Sequence, residues 1–367
     1  MGAMTTPASL TTQLQARIAD AIRAEGGWIG FDRFMAMALY TPGLGYYSND
    51  LRKFGAMPAS GSDFVTAPGM TPQFGQTLAV QVGDALDATG TSEVWEFGAG
   101  SGALALQLLD ALGGKVARYT IVDLSGTLRE RQSETLLPHA GKVTWVNELP
   151  ESMRGVVVGN EVLDAMPVSL IARIGGAWHE RGVAVEGGVF CWADRPTELR
   201  PPVEIDGTHD YLTEVHPQAE AFIRTLAGKI GQGAAFFLDY GFPESEYYHP
   251  QRHMGTVMCH QHHLADTDPL RDVGLKDITA HVNFTGIALA GQDAGFEVAG
   301  YVSQARFLIN CGLVQRLEHA TLADRTQAQR LIHEHEMGEL FKVIAFMKGG
   351  TPHPLVGFAQ GDRTHTL

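Results

Sequence analysis

Three glycines at alternate positions, Gly98, Gly100 and Gly102, separate the apolar stretch Val94-Trp95-Glu96-Phe97 from the apolar stretch at 103–112. Glycine lets the backbone turn tightly and approach a ligand where a Cβ would collide. A helix opening directly after such a turn points its unpaired N–H groups at whatever sits there. Gly98-x-Gly100-x-x-Ala103 also satisfies the relaxed dinucleotide fingerprint, so spacing alone does not choose the nucleotide. The acids discriminate. Glu96 stands just before the turn, where a carboxylate can receive an ammonium or order the loop but would repel a pyrophosphate. Asp123 closes the stretch at 119–122, with Leu124 beside it, where nucleotide sites place an acid on ribose hydroxyls. The extra glycine at 102 and the acid at 96 favour S-adenosylmethionine over a pyrophosphate ligand.

Two further acidic positions follow apolar stretches. Glu148 comes after 143–146 and reads as either an adenine neighbour or a solvated loop acid. Asn160-Glu161 comes after 155–158 and leads into Val162-Leu163-Asp164-Ala165-Met166-Pro167. An acid at the carboxyl end of a parallel strand faces the ligand crevice. Asp164 is a substrate contact or a helix cap on equal terms.

These residues need a frame, and the hydrophobic pattern supplies one. Strands are expected at 94–97, 119–122, 143–146, 155–158 and 234–238, with helices at 103–112 and 128–137, the alternation that gives a parallel sheet covered on both faces. Helices at 11–25, 32–40 and 73–87 precede this core, with a Gly/Ser/Pro-rich loop over 41–71. Segments 168–174, 178–185 and 189–192, separated by Gly-Gly pairs, read as an inserted antiparallel meander. Residues 212–229 read as a helix. The core ends in strands at 296–302 and 340–347, with helices between them. The expected division is an N-terminal helical region with a covering loop (1–90), a first core half (91–167), the meander (168–211), a core helix and strand (212–240), a second insertion (241–293), the closing core elements (294–350) and a tail (351–367).

Composition narrows the function classes. A hydrophobic fraction of 44% supports a large core, and a net charge of −14 argues against a nucleic-acid partner. No apolar run is long enough for a membrane helix, and no secretory signal is expected. Three scattered cysteines give no disulfide framework. The cluster Cys259-His260-Gln261-His262-His263 lacks a partner motif at ligand spacing, so no metal is expected. Tyr46-Tyr47 fits a substrate groove or a core wedge equally.

The stretch Asn160-Glu161-Val162-Leu163-Asp164-Ala165-Met166-Pro167-Val168 resembles a signature of the MidA family, methyltransferases related to the mitochondrial complex I assembly arginine methyltransferase. Leu39-Tyr40-x-Pro42, Gly45-Tyr46-Tyr47, Gly61-Ser62-Asp63-Phe64-Val65-Thr66-Ala67-Pro68, Trp178-x-Glu180-Arg181, Leu238-Asp239-Tyr240-Gly241, Asp268-Pro269-Leu270 and Asp277-Ile278-Thr279-Ala280-His281 are similar to further family segments. Gly69 and Gln76 depart from acids common in the family. The resemblance implies an α/β fold with the seven-stranded, Rossmann-like class I methyltransferase sheet. It also implies S-adenosyl-L-methionine as cofactor and, as in the family's mitochondrial branch, a protein arginine as acceptor, with a respiratory complex I subunit as the candidate protein substrate. Cofactor contacts would come from Glu96, Gly98, Ala99, Gly100, Gly102, Asp123, Leu124, Glu148, Asn160 and Glu161. A guanidinium holds its proton tightly, so carboxylates must bind it and localise its charge. Glu161, Asp164 and Asp239 are the candidates, with Asp63 closing from the N-terminal loop, and His281 is a candidate proton acceptor or a packed ring. The expected location is cytoplasmic for a bacterial chain and the mitochondrial matrix for a eukaryotic one. A homodimer is left open. A nicotinamide-dependent oxidoreductase and a non-catalytic cofactor-binding assembly factor are the competing readings.

Overall fold

The computed structural model describes residues 7–49, 66–123, 126–350 and 353–367. Its centre is a twisted sheet of seven strands: β1 (Glu93–Phe97), β2 (Arg118–Val122), β3 (Val143–Val146), β4 (Met153–Asn160), β5 (Ile230–Phe242), β6 (Glu297–Ser303) and β7 (Phe341–Lys348). Their spatial order is β3-β2-β1-β4-β5-β7-β6. The first five run parallel, while β7 runs antiparallel between β5 and β6, with Phe236 opposite Ala345 and Val302 opposite Val343. The two-residue strand Val282–Asn283 adds to the end of β5, so eight strands share the sheet.

Alternation along the strands divides the core into two layers. Val94 of β1 and Phe236 and Leu238 of β5 face the helices Gln73–Thr89 and Ala103–Leu112. Trp95 and Phe97, with Ala235 and Phe237, face the helices Pro217–Lys229 and Phe284–Asp293. Both layers are apolar because a parallel sheet is buried on both sides. Each buried Leu or Phe contributes roughly 1.5–3 kcal/mol.

The expected meander is present as Ser169–Ile174, Ala177–Glu186 and Val189–Pro196. It also recruits two strands that the sequence reading did not anticipate. Ile29–Gly30 pairs with Val183 and Gly182, where a Cβ on Gly182 would stand 2.2 Å from the Ile29 carbonyl. Tyr211–Val215 pairs with Ser169–Arg173, which corrects the helix expected over 212–229. Tyr211 and Thr213 point inward, and the helix waits for Pro217, whose fixed φ suits a first helical position. The helices Pro7–Ala24 and Phe31–Tyr40 pack on this sheet through Leu14, Ile18, Phe31, Phe34 and Leu39. In the 241–293 stretch, strands Met258–Gln261, Leu264–Asp266 and Asp277–Thr279 form a small sheet. His262 and His263 occupy its hairpin turn with φ of 51° and 61°. Among the described residues, no cluster of three or more His, Cys, Asp or Glu side chains could hold a metal ion, and no helix is long and apolar enough to cross a membrane.

Candidate functional site

The carboxyl ends of β1, β2 and β4 open into a cavity of about 310 Å³. Its floor is the glycine turn. Gly98, Gly100 and Gly102 have φ of 65°, 52° and 82°, left-handed values that side-chain-bearing residues rarely adopt. A Cβ on Gly98 would stand 3.0 Å from Val162 Cγ2. Gly98, Ala99, Gly100 and Ser101 line the cavity. Gly102 does not line it. It starts the helix Ala103–Leu112 and lets the helix Gly126–Thr135 pack close, with Gln132 Cα 3.4 Å from where its Cβ would stand.

Glu96 is buried on β1 with its carboxylate in the cavity wall, and Tyr119 donates to its Oε2 at 2.7 Å. Burial lifts its pKa to about 8; the Tyr119 bond opposes this and the charge on Asp123 reinforces it. Asp123, at the end of β2, lines the same cavity and accepts from Gln132 Nε2 at 2.8 Å.

The other wall is built where β4 ends. Glu161 has φ of 54°, uncommon for a residue with a Cβ and costing roughly 1–2 kcal/mol. The surrounding bonds hold it there. Its N–H donates to the Leu238 carbonyl at 2.9 Å, and Asn160 Nδ2 donates to its Oε1 at 2.9 Å. Burial pushes its pKa to about 8, with Asp164 adding to the rise; the bonds from Asn160 and the Ala67 N–H pull the other way. Asp164 is 4% exposed, with burial raising it to about 6 against a hydrogen bond from Tyr240. Asn160 Oδ1 and Asp164 Oδ1 are buried acceptors with no hydrogen-bond partner among the described residues, both on residues that line the cavity. Unpaired buried acceptors beside a cavity suit a ligand that brings donors.

Two expected site residues take different places. Asp239 lies under the site and does not line the cavity. Its Oδ2 accepts the N–H groups of Val162, Leu163 and Asp164 at 3.1, 2.8 and 3.2 Å, and its Oδ1 accepts that of Tyr240 at 3.0 Å. Asp239 therefore holds the turn carrying Glu161 and Asp164. Asp239→Ala should leave four N–H groups without this acceptor, those of Leu163 and Asp164 buried, and cost about 3 kcal/mol in urea unfolding, since each buried unpaired group costs ~1–3 kcal/mol. A loss below ~1 kcal/mol would refute that role. Glu148 is exposed on the short connection between β3 and β4, away from the cavity lining. Asp63 and Leu124 lie outside the described residues.

The cavity also contains residues that sequence reasoning did not select. Tyr47 donates to both carboxylate oxygens of Asp277, at 2.8 and 2.9 Å. Tyr40 stacks on Tyr47, with ring centroids 5.6 Å apart and planes 18° apart, and donates to the Ala165 carbonyl at 2.8 Å. All three line the wall beside Glu161 and Asp164. The available signal was the Tyr pair, which the fold splits: Tyr46 is core and Tyr47 is site. His281 does not line the cavity. Its ring packs against Tyr240 and Phe242, 5.2 Å from each, and burial, aided by Arg252 and Lys342, lowers its pKa to about 4. That is the packed ring and not a proton acceptor in the cavity.

The raised Glu96 pKa has a sign that can be measured. In the folded chain Glu96 holds its proton up to about pH 8, against an ordinary value of 4.5. It therefore favours folding below about 4.5, and that contribution is lost as pH rises through 8. A ligand ammonium placed against it reverses the preference by stabilising the carboxylate. Binding of S-adenosylhomocysteine at pH 7 should release protons, detectable by calorimetry in buffers of different ionisation enthalpy. Proton uptake would remove Glu96 as the ammonium partner.

A protein-family profile described as S-adenosyl-L-methionine-dependent methyltransferase matches residues 77–302. Two curated relatives align along most of the chain. The Caenorhabditis elegans protein arginine methyltransferase NDUFAF7 homolog, mitochondrial, is 27% identical over 89% of this chain and 83% of its own length. The Danio rerio protein arginine methyltransferase NDUFAF7, mitochondrial, is 26% identical over 96% and 93%. Among solved structures, a superfamily member from Burkholderia thailandensis described as a methyl transferase, bound to S-adenosyl-homocysteine, is 49% identical. It superposes with a TM-score of 0.94 over 98% of both chains. A native structure of an uncharacterized protein of that superfamily from the same organism is 48% identical, with a TM-score of 0.89 over 98% of both chains.

Proposed function

Because this chain belongs to the S-adenosyl-L-methionine-dependent methyltransferases, with that cofactor and that sheet, we propose that it transfers the methyl group to an arginine of a protein substrate. The observation that carries this reading is the wall facing the glycine turn, where Glu161, Asp164 and Asp277 stand beside the stacked rings of Tyr40 and Tyr47. A guanidinium is planar, permanently charged and rich in donors. It pairs with carboxylates through paired N–H bonds and stacks on aromatic faces. The names of the two curated relatives point the same way.

The residues present fit the cofactor. The glycine turn admits a ligand against its backbone, Glu96 takes the ammonium of the methionine end, Asp123 takes ribose hydroxyls, and Asn160 Oδ1 is an acceptor in want of a donor. When bound, the cofactor supplies an electrophilic methyl on a sulfonium. The protein's work is then to align the acceptor nitrogen with that methyl and to localise charge away from it. Glu161 and Asp164 bind the guanidinium edge, Asp277 is oriented by Tyr47, and the aromatic pair supports the flat face. Asp164, with a pKa near 6, can take the proton that the methylated nitrogen sheds.

The nicotinamide reading falls away. The sheet closes on the antiparallel β7 instead of the all-parallel order of a dinucleotide fold, and the family is the methyltransferase one. The test is incubation with labelled S-adenosylmethionine and lysate proteins, then mass spectrometry of the labelled residues. Respiratory complex I subunits, implied by the MidA resemblance, are the first acceptors to include. Methylarginine is the expected product. Label on lysine or on a small molecule would overturn the arginine reading, and no transfer to any protein would favour a non-catalytic assembly role.

A further inference from the structure

The helix Gly126–Thr135 plays no part in the chemistry above, yet its Gln132 is fully buried behind the glycine turn. The Gln132 amide makes three hydrogen bonds. Nε2 donates to the Gly100 carbonyl at 3.1 Å and to Asp123 Oδ2 at 2.8 Å, and Oε1 accepts the Trp145 indole N–H at 2.9 Å. These partners leave no freedom to flip the amide, because an indole N–H only donates while a carbonyl and a carboxylate only accept. The same helix makes a second tie, from Thr135 Oγ1 to the Ser101 carbonyl at 2.9 Å. One side chain thus links the turn after β1, the acid after β2 and the indole on β3.

We propose that Gln132 is a positioning residue of the cofactor site, coupling the turn that holds the methionine end to the acid that reads the ribose. The proposal rests on Asp123 being the ribose ligand. Without the amide, the turn and Asp123 lose the side chain that bridges them directly, and the two halves of the ligand no longer meet a preset geometry. Trp145 at the same time loses its acceptor.

The test is calorimetric titration of the full chain with S-adenosylhomocysteine and with its 2′-deoxy analogue. The parent chain should lose about tenfold in affinity when the 2′-hydroxyl is removed, the worth of one good hydrogen bond to a charged group. Gln132→Met keeps side-chain length and volume. It should weaken S-adenosylhomocysteine by about tenfold and shrink the 2′-hydroxyl effect to within about threefold, since two groups that act together are not additive. A general loosening of the fold would weaken both ligands alike and leave that ratio intact, so an unchanged ratio overturns the proposal. Should circular dichroism show Gln132→Met unfolded, Gln132→Glu serves instead. It keeps an acceptor for Trp145, sets a charge against Asp123, and should collapse the same ratio; an intact ratio there overturns the proposal equally. A parent chain indifferent to the 2′-hydroxyl would remove the ribose role of Asp123, and the proposal with it. A discriminating parent with a discriminating variant removes the proposal alone.

Discussion

Glu161→Gln should bind S-adenosylhomocysteine within about threefold of the parent and transfer methyl groups at least about a hundredfold more slowly, the usual scale for deleting one preorganised electrostatic contact. The amide keeps the size of the side chain and can still accept from Asn160, so the turn should survive. What goes is the negative charge facing the acceptor. The parent's pH dependence should carry the same signature. The free Glu161 carboxyl holds its proton up to about pH 8 because it is buried beside Asp164. A guanidinium requires the carboxylate, so kcat/KM should rise with pH towards 8 and flatten above it. That rise should be lost in Glu161→Gln. Full transfer activity in the variant, or a parent profile that falls between pH 6 and 8, would remove Glu161 from the acceptor site.

Gly98→Val should leave a folded chain that no longer binds the cofactor, with affinity for S-adenosylhomocysteine down by about a hundredfold or more. Two effects add. The backbone at φ of 65° is poor for any residue with a Cβ and poorest for a branched one. The new Cβ would also stand 3.0 Å from Val162 Cγ2, and its methyls would extend into the cavity floor. Relieving the strain means moving the turn, and a shift of an ångström removes the backbone groups from the ligand. The melting temperature without ligand reports the fold, and the shift on adding S-adenosylhomocysteine reports binding. An unchanged ligand-induced shift would move the cofactor away from this turn.

Much of this molecule could be read from its residues. The alternation of strand and helix around Glu96–Gly102, the two-sided apolar strands and the antiparallel closing pair are local patterns, because a buried parallel strand and an amphipathic helix each leave a periodic trace. The acids at 96, 123 and 161 could be named for the same reason, since Glu96 lies one residue short of the end of an apolar strand and Asp123 and Glu161 directly follow one. The strand Tyr211–Val215 was not legible. Its five residues pair with a strand some forty positions away, and the neighbouring helical pattern hides them.

The site divides along the same line. The side proposed for the cofactor is a strand, a turn and a helix contiguous in sequence, so the amino acids there determine its local geometry. The facing wall brings together Tyr40, Tyr47, Glu161, Asp164 and Asp277, drawn from the N-terminal region, the end of β4 and the small late sheet. Only packing places a carboxylate from position 277 under a hydroxyl from position 47, 230 residues away. Only packing, likewise, turns Asp239 from a candidate reactant into the anchor of the strained turn, because its partners are backbone N–H groups on a neighbouring strand's end, and a one-dimensional pattern carries no record of them.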